Sequence, residues 1–459
     1  MFSFRKIVSS LVLVSYIKML VITSFAVDSA ALSPQVHYKL KVDRQLTPQG
    51  ALKHLELILQ EKDVTTGVKK ILRRDRITSG DEVPAEDIDW TTENKQDTGY
   101  KWHSLERFGA VRIDFAGNIF LENISQLEPN ALFKVKGTHL ITLRNCHFSH
   151  LQTQGMSTIF LGSNTIENLE AKATVKQGGV YCYARKSEPQ GAVSIKNMRL
   201  RGDNFVNHSR LVIAGEGMWD LGGGDYINSG ILTSQGALDQ IKNVRLFSNA
   251  NQITGEGLTV EAHSYVNETK GRVNLKTHTV KSAGLMMNEG EIHTTGSGDY
   301  QWEGEAFNRG QITSEQTYTF GKNSHSNTQV LYNYGLMKAQ TGTFGALKVI
   351  NHGESRQEQS AYRQTHLTNY KTMEMGNIPA ASKSTFLHLN NSGEMKGRGS
   401  FMVMGGRNAG KLELNSASVT LGADSVFENA GSLWLTRLLG EGKFSNQGYC
   451  IPPLPMALV

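Results

Sequence analysis

Several short stretches of this chain carry residue types at spacings that chemistry could use. Gly405-Gly-Arg-Asn-Ala-Gly410-Lys411 matches most of a phosphate-binding loop, in which backbone N–H groups cradle phosphates and the lysine reaches them. Such a loop needs Ser or Thr next to hold magnesium, and Leu412 stands there instead. Gly222-Gly223-Gly224-Asp225 matches half of a calcium-binding nonapeptide, but those cages need tandem copies and one is present. Glu289, Glu291 and His293 alternate along one strand face, with Glu303 and Glu305 about one repeat later. Clustered carboxylates of that kind could serve acid–base attack on a polysaccharide. Alternating charges also mark the solvated face of a strand, and that plainer reading is preferred. Arg201-Gly202-Asp203 is the tripeptide that integrins read, and its place suits an exposed, cell-binding turn. No catalytic residue, cofactor or metal ligand is assigned.

The elements that must position these residues follow from a repeat. Asn recurs at 207, 228, 249, 267, 288, 308, 333, 351, 369, 391, 408, 429 and 446, every 20 residues or so. Two residues before each stands a large apolar residue, except at Ala306 and Gly406. Two residues after it Gly fills nine of thirteen places, and four after it eleven of thirteen are apolar. The anchors of this apolar-x-Asn-x-Gly-x-apolar stamp include Asn228 with Gly230, Asn288 with Gly290, Asn308 with Gly310, Asn333 with Gly335, Asn351 with Gly353, and Asn429 with Gly431. Apolar residues at alternate places turn one strand face inward. Asn and Gly tolerate left-handed backbone angles, so N-x-G is expected to mark a bend between two short strands. Stacked about 4.8 Å apart, equivalent Asn side chains can hydrogen-bond as a ladder. A rung this short cannot bury its own face, but stacked rungs share one core. The expected fold is all-β: a single-stranded, right-handed parallel β-helix, with handedness taken from the general rule for parallel crossovers. Leucine-rich repeats have a similar period but need recurrent helix-forming halves, and these repeats carry Thr, Ser, Gly and aromatics.

The rest of the chain divides by composition. Residues 1–31 read as a signal peptide, with Arg5-Lys6 ahead of an apolar run that Lys18 interrupts. Residues 32–104 form a small helical and irregular segment. Thr47-Pro48 would start a helix carrying Leu52, Leu55 and Leu59 on one face, and Val68 to Ile77 would form a second, basic one. Residues 105–204 are irregular first rungs with an insertion around Tyr181 to Gln190, and 205–448 are the regular repeats. Partial stamps at Leu121-x-Asn123, Leu143-x-Asn145 and Ile166-x-Asn168 would continue the pattern upstream. Residues 449–459 form a tail. Among 459 residues there are 46 Gly but only 9 Pro, which excludes collagen-like and Pro-rich disordered chains. A net charge of +6 is too small and dispersed to suggest nucleic-acid binding, and the mature chain holds no apolar run long enough for a transmembrane helix. Cys146, Cys182 and Cys450 are too few for a disulfide framework; a Cys146–Cys182 bond is the one alternative to two small core residues.

YINSGILT at 226–233, LMMNEGEIHT at 285–294, FNRGQITS at 307–314 and FENAGSLWL at 427–435 resemble the passenger regions of filamentous-haemagglutinin-like and autotransporter adhesins. The resemblance covers about 240 residues clearly and about 340 loosely. It implies a rod presented on a bacterial surface, with a host-cell surface, a glycan or another envelope protein as partner. The expectation is an exported, noncatalytic, adhesin-like protein at the cell surface, outside the cell, or in the periplasm. A carbohydrate-active β-helix enzyme (a lyase or hydrolase) and a structural envelope component are the alternatives. No segment reads as a translocator barrel or an Asn-Pro secretion motif, so the export route stays open.

Overall fold

A computed structural model describes residues 132–451, with breaks at 177, 184–190, 237–238, 322–328, 364 and 379–383, and several strands upstream from Val36. The expected signal peptide, the insertion beyond Tyr183 and the end of the tail lie outside the described residues. The chain forms a parallel β-solenoid of about 15 turns, each about 20 residues long. No helix occurs among the described residues.

Every regular rung contributes to three stacked faces. The ladder face carries the apolar-x-Asn strands, such as Asp225–Asn228 and Lys348–Asn351. A second face begins after the Gly, and a third precedes the next Asn strand. Register is kept strand to strand: Asn288 pairs with Asn308, Asn308 with Asn333, and Asn333 with Asn351. On the second face Leu232, Ile253, Val273, Ile292 and Ile312 follow one another inward. In-register stacking puts like residue on like residue, so the interior becomes columns. Phe205, Tyr226, Phe247 and Tyr265 stack at 4.8, 5.1 and 4.9 Å on the ladder face. Tyr300, Phe320, Phe344 and Tyr362 stack at 5.1, 5.8 and 4.8 Å on the third. These buried rings join one continuous core from Ile119 to Leu435.

The thirteen Asn side chains form an unbroken amide ladder. Each Nδ2 donates to the Oδ1 of the next Asn, from Asn207 to Asn446, over 2.6–2.8 Å. Asn351 and Asn369 therefore stack one coil apart, 2.8 Å between donor and acceptor.

Glycine's role differs from the expected one. None of the stamp glycines, nor any ladder Asn, has a left-handed φ. What selects Gly is the neighbouring rung: a Cβ on Gly335 would lie 1.9 Å from the carbonyl oxygen of Gly310, and one on Gly353 2.1 Å from that of Gly335. The backbone also closes the corner here, since the N–H groups of Tyr334 and Gly335 both donate to the Asn308 carbonyl.

Upstream the register corrects the partial stamps. Leu121, Leu143, Phe160 and Cys182 occupy the ladder position one above another, and Cys182 sits directly on Asn207. Asn145 is instead a turn residue with φ 51°, and Asn168 lies on the third face, where Asn197 donates to it at 2.9 Å. Tyr181 and Tyr183 belong to a regular strand, Gly179–Tyr183, so the insertion starts later than expected. Cys146 and Cys182 are buried and form no disulfide.

The stretches expected to be helical are strands where they are described. β1 (Val36–Leu46), β2 (Leu52–Asp63) and β3 (Lys69–Thr78) form an antiparallel sheet. Leu55, Leu57 and Leu59 alternate as well as recurring at helical spacing, and the alternation prevails. β1 pairs in parallel with Asn118–Glu122, which closes the open edge of the first rung. The basic residues of Val68 to Ile77 thus lie on β3, with Lys69 and Lys70 exposed.

Candidate functional site

A strand whose inner side is fixed by a ladder has its outer side free to vary. On the outside of the ladder face, Leu246, Val266 and Met287 pack with Leu285 and Phe307 into an apolar cluster separate from the core. Phe307 continues onto Tyr332 of the next rung, rings 4.9 Å apart and 6° from parallel. At the corner, Tyr334, His352 and Tyr370 stack over three rungs at 5.0 and 4.4 Å, within 3° of parallel. Tyr334 is 40% exposed and Tyr370 51%. The next corner residue, Ser392, is small. Beyond Tyr370 the equivalent corner positions, Ser392, Ala409 and Ala430, carry no ring. An aromatic body with a polar tip suits recognition of partly apolar, hydroxyl-bearing ligands.

A second feature runs along the corner between the third and ladder faces. Gly222, Gly223, Ala262 and Ala283 leave it shallow, and an open groove of about 1350 Å³ results. Arg245, Glu261, Lys281 and Glu303 line its sides. Lys281 binds Glu261 at 2.9 Å, and Arg245 donates twice to Asp225 at 3.0 and 2.6 Å. Asp225 in turn holds the guanidinium's pKa above its ordinary value, through these hydrogen bonds and then its charge. These pairs are neutral overall, and each carboxylate in them already has a cation to face.

The carboxylates singled out in the sequence do not converge. Glu291 and His293 do share the outer second face, where Arg272 lies 3.6 Å from Glu291 and Thr313 2.9 Å from His293. Glu289 turns toward Arg309 at the ladder corner, at 3.1 Å. Glu303 lines the groove, and Glu305 lies 3.5 Å from the Tyr332 hydroxyl. Strand alternation accounts for Glu291 and His293, but the corner at Gly290 rotates Glu289 away. Among the described residues no group of three or more His, Cys, Asp or Glu forms a metal site.

Other sequence features are absorbed by rung architecture. In 405–411, Asn408 is a ladder member, Gly410 packs against the Gly393 carbonyl, and Lys411 pairs with Glu394 at 3.1 Å. Gly222 and Gly223 form a left-handed turn, with φ 56° and 97°. Arg201 is an exposed strand end beside Asp220. Gly202 and Asp203 are half-buried and bonded to the rungs on either side, Gly202 N–H to the Asp220 carbonyl and Asp203 N–H to that of Gly178. The tripeptide is clamped in a corner rather than carried on a projecting loop.

Two titratable groups are buried in the third face. Burial raises the Asp239 carboxyl to about 6, although the Gly217 N–H donates to it at 2.6 Å. Burial lowers His278 to about 3, so its ring is neutral, and neither ring nitrogen has a partner. The aromatic strip itself was missed in the sequence. Its signal is the variable letter of N-x-G, aromatic in three successive rungs as Tyr334, His352 and Tyr370.

No protein-family model, curated protein or solved structure matches this chain.

Proposed function

We propose that this is an exported, noncatalytic β-helix protein that acts as an adhesin-like interaction rod at a bacterial surface or envelope. The observation that carries the reading is the ordered aromatic strip on the outer ladder face, ending at Tyr370. Its rings stand on a backbone held by the amide ladder, so little side-chain freedom is lost on binding. A flat strip without a facing wall favours adhesion over turnover. Two measurements test it: protease accessibility of the protein on intact cells, and a screen of glycans and host cells for binding. Tyr334→Ala with Tyr370→Ala should weaken any binding found by about tenfold or more, given about 1.4 kcal/mol per decade. Unchanged binding in that variant, or protection from protease on intact cells together with an empty screen, sinks the proposal.

The corner groove supports a second reading, a carbohydrate-active enzyme, because Glu261, Lys281 and Glu303 gather there. Depolymerisation of any polysaccharide, abolished by Glu261→Gln or Glu303→Gln, would favour it. The third reading, a structural envelope component, predicts envelope defects on deletion and no ligand.

A further inference from the structure

Charge is distributed unevenly around the rungs between Phe344 and Ala409. Every acidic residue of that stretch lies away from the ladder face: Glu354, Glu374 and Glu394 on the second face, and Glu358 beyond them. Glu354 is held by Arg356 at 3.1 Å, and Glu394 by Lys396 and Lys411 at 3.2 and 3.1 Å. The outer ladder face and its corners carry only cations and histidines. Lys348, His366 and His388 stack on successive rungs, and His352 lies between Tyr334 and Tyr370. Lys371, Arg407 and, at the corner before the ladder strand of the His366 rung, Arg363 extend the set, and all seven are exposed. Tyr332, Ile350, Thr368 and Asn390 lie between them, none of them charged near neutrality. Glu305 and Glu428 are the acids that bracket this field along the ladder face.

We propose that this face, over Lys348 to Arg407, is an acid-gated docking surface for a polyanionic polysaccharide. The inference deepens the reading of the rod as a binding protein and rests on it. Four fixed cations, Lys348, Arg363, Lys371 and Arg407, supply a weak field near neutral pH. As pH falls below the ordinary histidine range, His352 and His366 gain charge with no acid among them to neutralise it. Their surroundings hold these two rings neutral until then. His366 sits below the ordinary histidine value through burial, then through the charges of His388 and Lys348, and His352 is lowered by burial against its tyrosines. A bound polyanion reverses both repulsions, so binding and proton uptake reinforce each other by linkage. An acidic sugar chain fits better than nucleic acid or lipid. Thr368, Asn390, Ser392 and the Tyr370 hydroxyl offer hydrogen-bonding groups for sugar hydroxyls beside the charges.

The full chain is measured against heparin, polygalacturonate, neutral dextran, duplex DNA and phosphatidylserine vesicles at pH 7.5 and 5.5. The expected result is binding to the two acidic polysaccharides that tightens by about tenfold or more at the lower pH and weakens with salt. Replacing all three histidines (His352→Gln, His366→Gln, His388→Gln) should make the affinities at pH 7.5 and 5.5 equal. Lys348→Glu with Arg407→Glu should abolish binding at both values without moving the thermal midpoint. Histidine proton resonances followed over pH, with and without heparin, give an independent readout: the pKa values of His352 and His366 should rise on binding. A pH-independent affinity, a response that survives the triple variant, or tighter binding to DNA or vesicles overturns the inference. Tyr370-dependent binding of neutral glycans without a pH response would leave the interaction rod standing and remove the acid gate alone. Binding to nothing in any arm overturns both.

Discussion

The first rungs and the regular rungs solve the same stacking problem with different chemistry. Above Asn207 the ladder position holds Leu121, Leu143, Phe160 and Cys182, and the third-face column beside it holds Phe133, Leu151, Leu169 and Met198. Two residues past the ladder position the early chain turns through left-handed angles, at Asn145 with φ 51° and Gly162 with φ 68°. From Asn207 onward the ladder position is an amide, the corner is in nine of thirteen rungs a glycine of ordinary φ, and the third face admits Asp239 and His278. An apolar column asks of each rung only volume. An amide column asks each rung for a donor and an acceptor in register, which makes neighbours interdependent. Specificity of register is thereby concentrated in the regular rungs, and variation is easier to accommodate in the early ones.

The largest expected break in that contrast is at the corner glycines. Gly353→Val places a side chain 2.1 Å from the Gly335 carbonyl, so the rungs must separate. A cost of about 4 kcal/mol or more is expected. Gly162→Asn, at a left-handed turn of an early rung, should cost less than about 1 kcal/mol because Asn tolerates that angle. Denaturant midpoints of both variants measure the difference, and equal losses would mean that the two corners are not built differently.

Next in size is the ladder itself. Asn351→Leu keeps the branched shape but removes the acceptor of Asn333 and the donor to Asn369 and Thr372. Buried groups left without partners should cost about 3 kcal/mol in all. Leu143→Met at the matching early position should stay below about 1.5 kcal/mol. Hydrogen exchange should show the first loss confined to the rungs around 333–372, since stability in a solenoid is a nearest-neighbour property.

The third-face column differs in its response to pH. Asp239 has a folded value near 6 against about 4 unfolded. A raised carboxyl pKa means that stability is fully present below about 4 and is lost as pH rises through 6. The two-unit shift amounts to about 3 kcal/mol at neutral pH. Asp239→Asn should therefore stabilise the rod by about that amount at pH 7 and change little at pH 4. A stability difference that is flat from pH 4 to 7 would show that the carboxyl is not strained by burial. The early column, apolar throughout, has no counterpart to this titration.

Much of this contrast was legible in the sequence, and what was not has a physical reason. Thirteen aligned Asn residues fixed the register because an amide column leaves a letter in every rung. An apolar column leaves none, so Leu121, Leu143 and Phe160 could not be told from other core residues, and nearby Asn145 and Asn168 drew the alignment away. Gly was rightly seen as required, but the single-chain argument from φ cannot include a carbonyl one rung away. Around Leu55, Leu57 and Leu59 helical and alternating spacings coincide, so the pattern alone does not choose between the helix expected after Thr47-Pro48 and the strand Leu52–Asp63. The aromatic strip lay in the one letter of the stamp that the alignment treated as free.

The smallest effect expected is at the boundary between the two regions. Asn207 has no amide above it; its Oδ1 accepts instead from the Ser209 N–H at 3.1 Å and hydroxyl at 3.3 Å. Ser209 stands where later rungs have Gly, so the ladder begins with a cap. Cys182→Asn would lengthen the ladder by one amide and satisfy Asn207 twice over, but the new carbonyl oxygen would face Phe160 with no donor. A hydrogen bond gained and an acceptor buried nearly cancel, and the variant should lie within about 1 kcal/mol of the parent. A loss of several kcal/mol in that variant would mean that the ladder's upper limit is set by the bulk of Phe160 rather than by the balance of donors and acceptors.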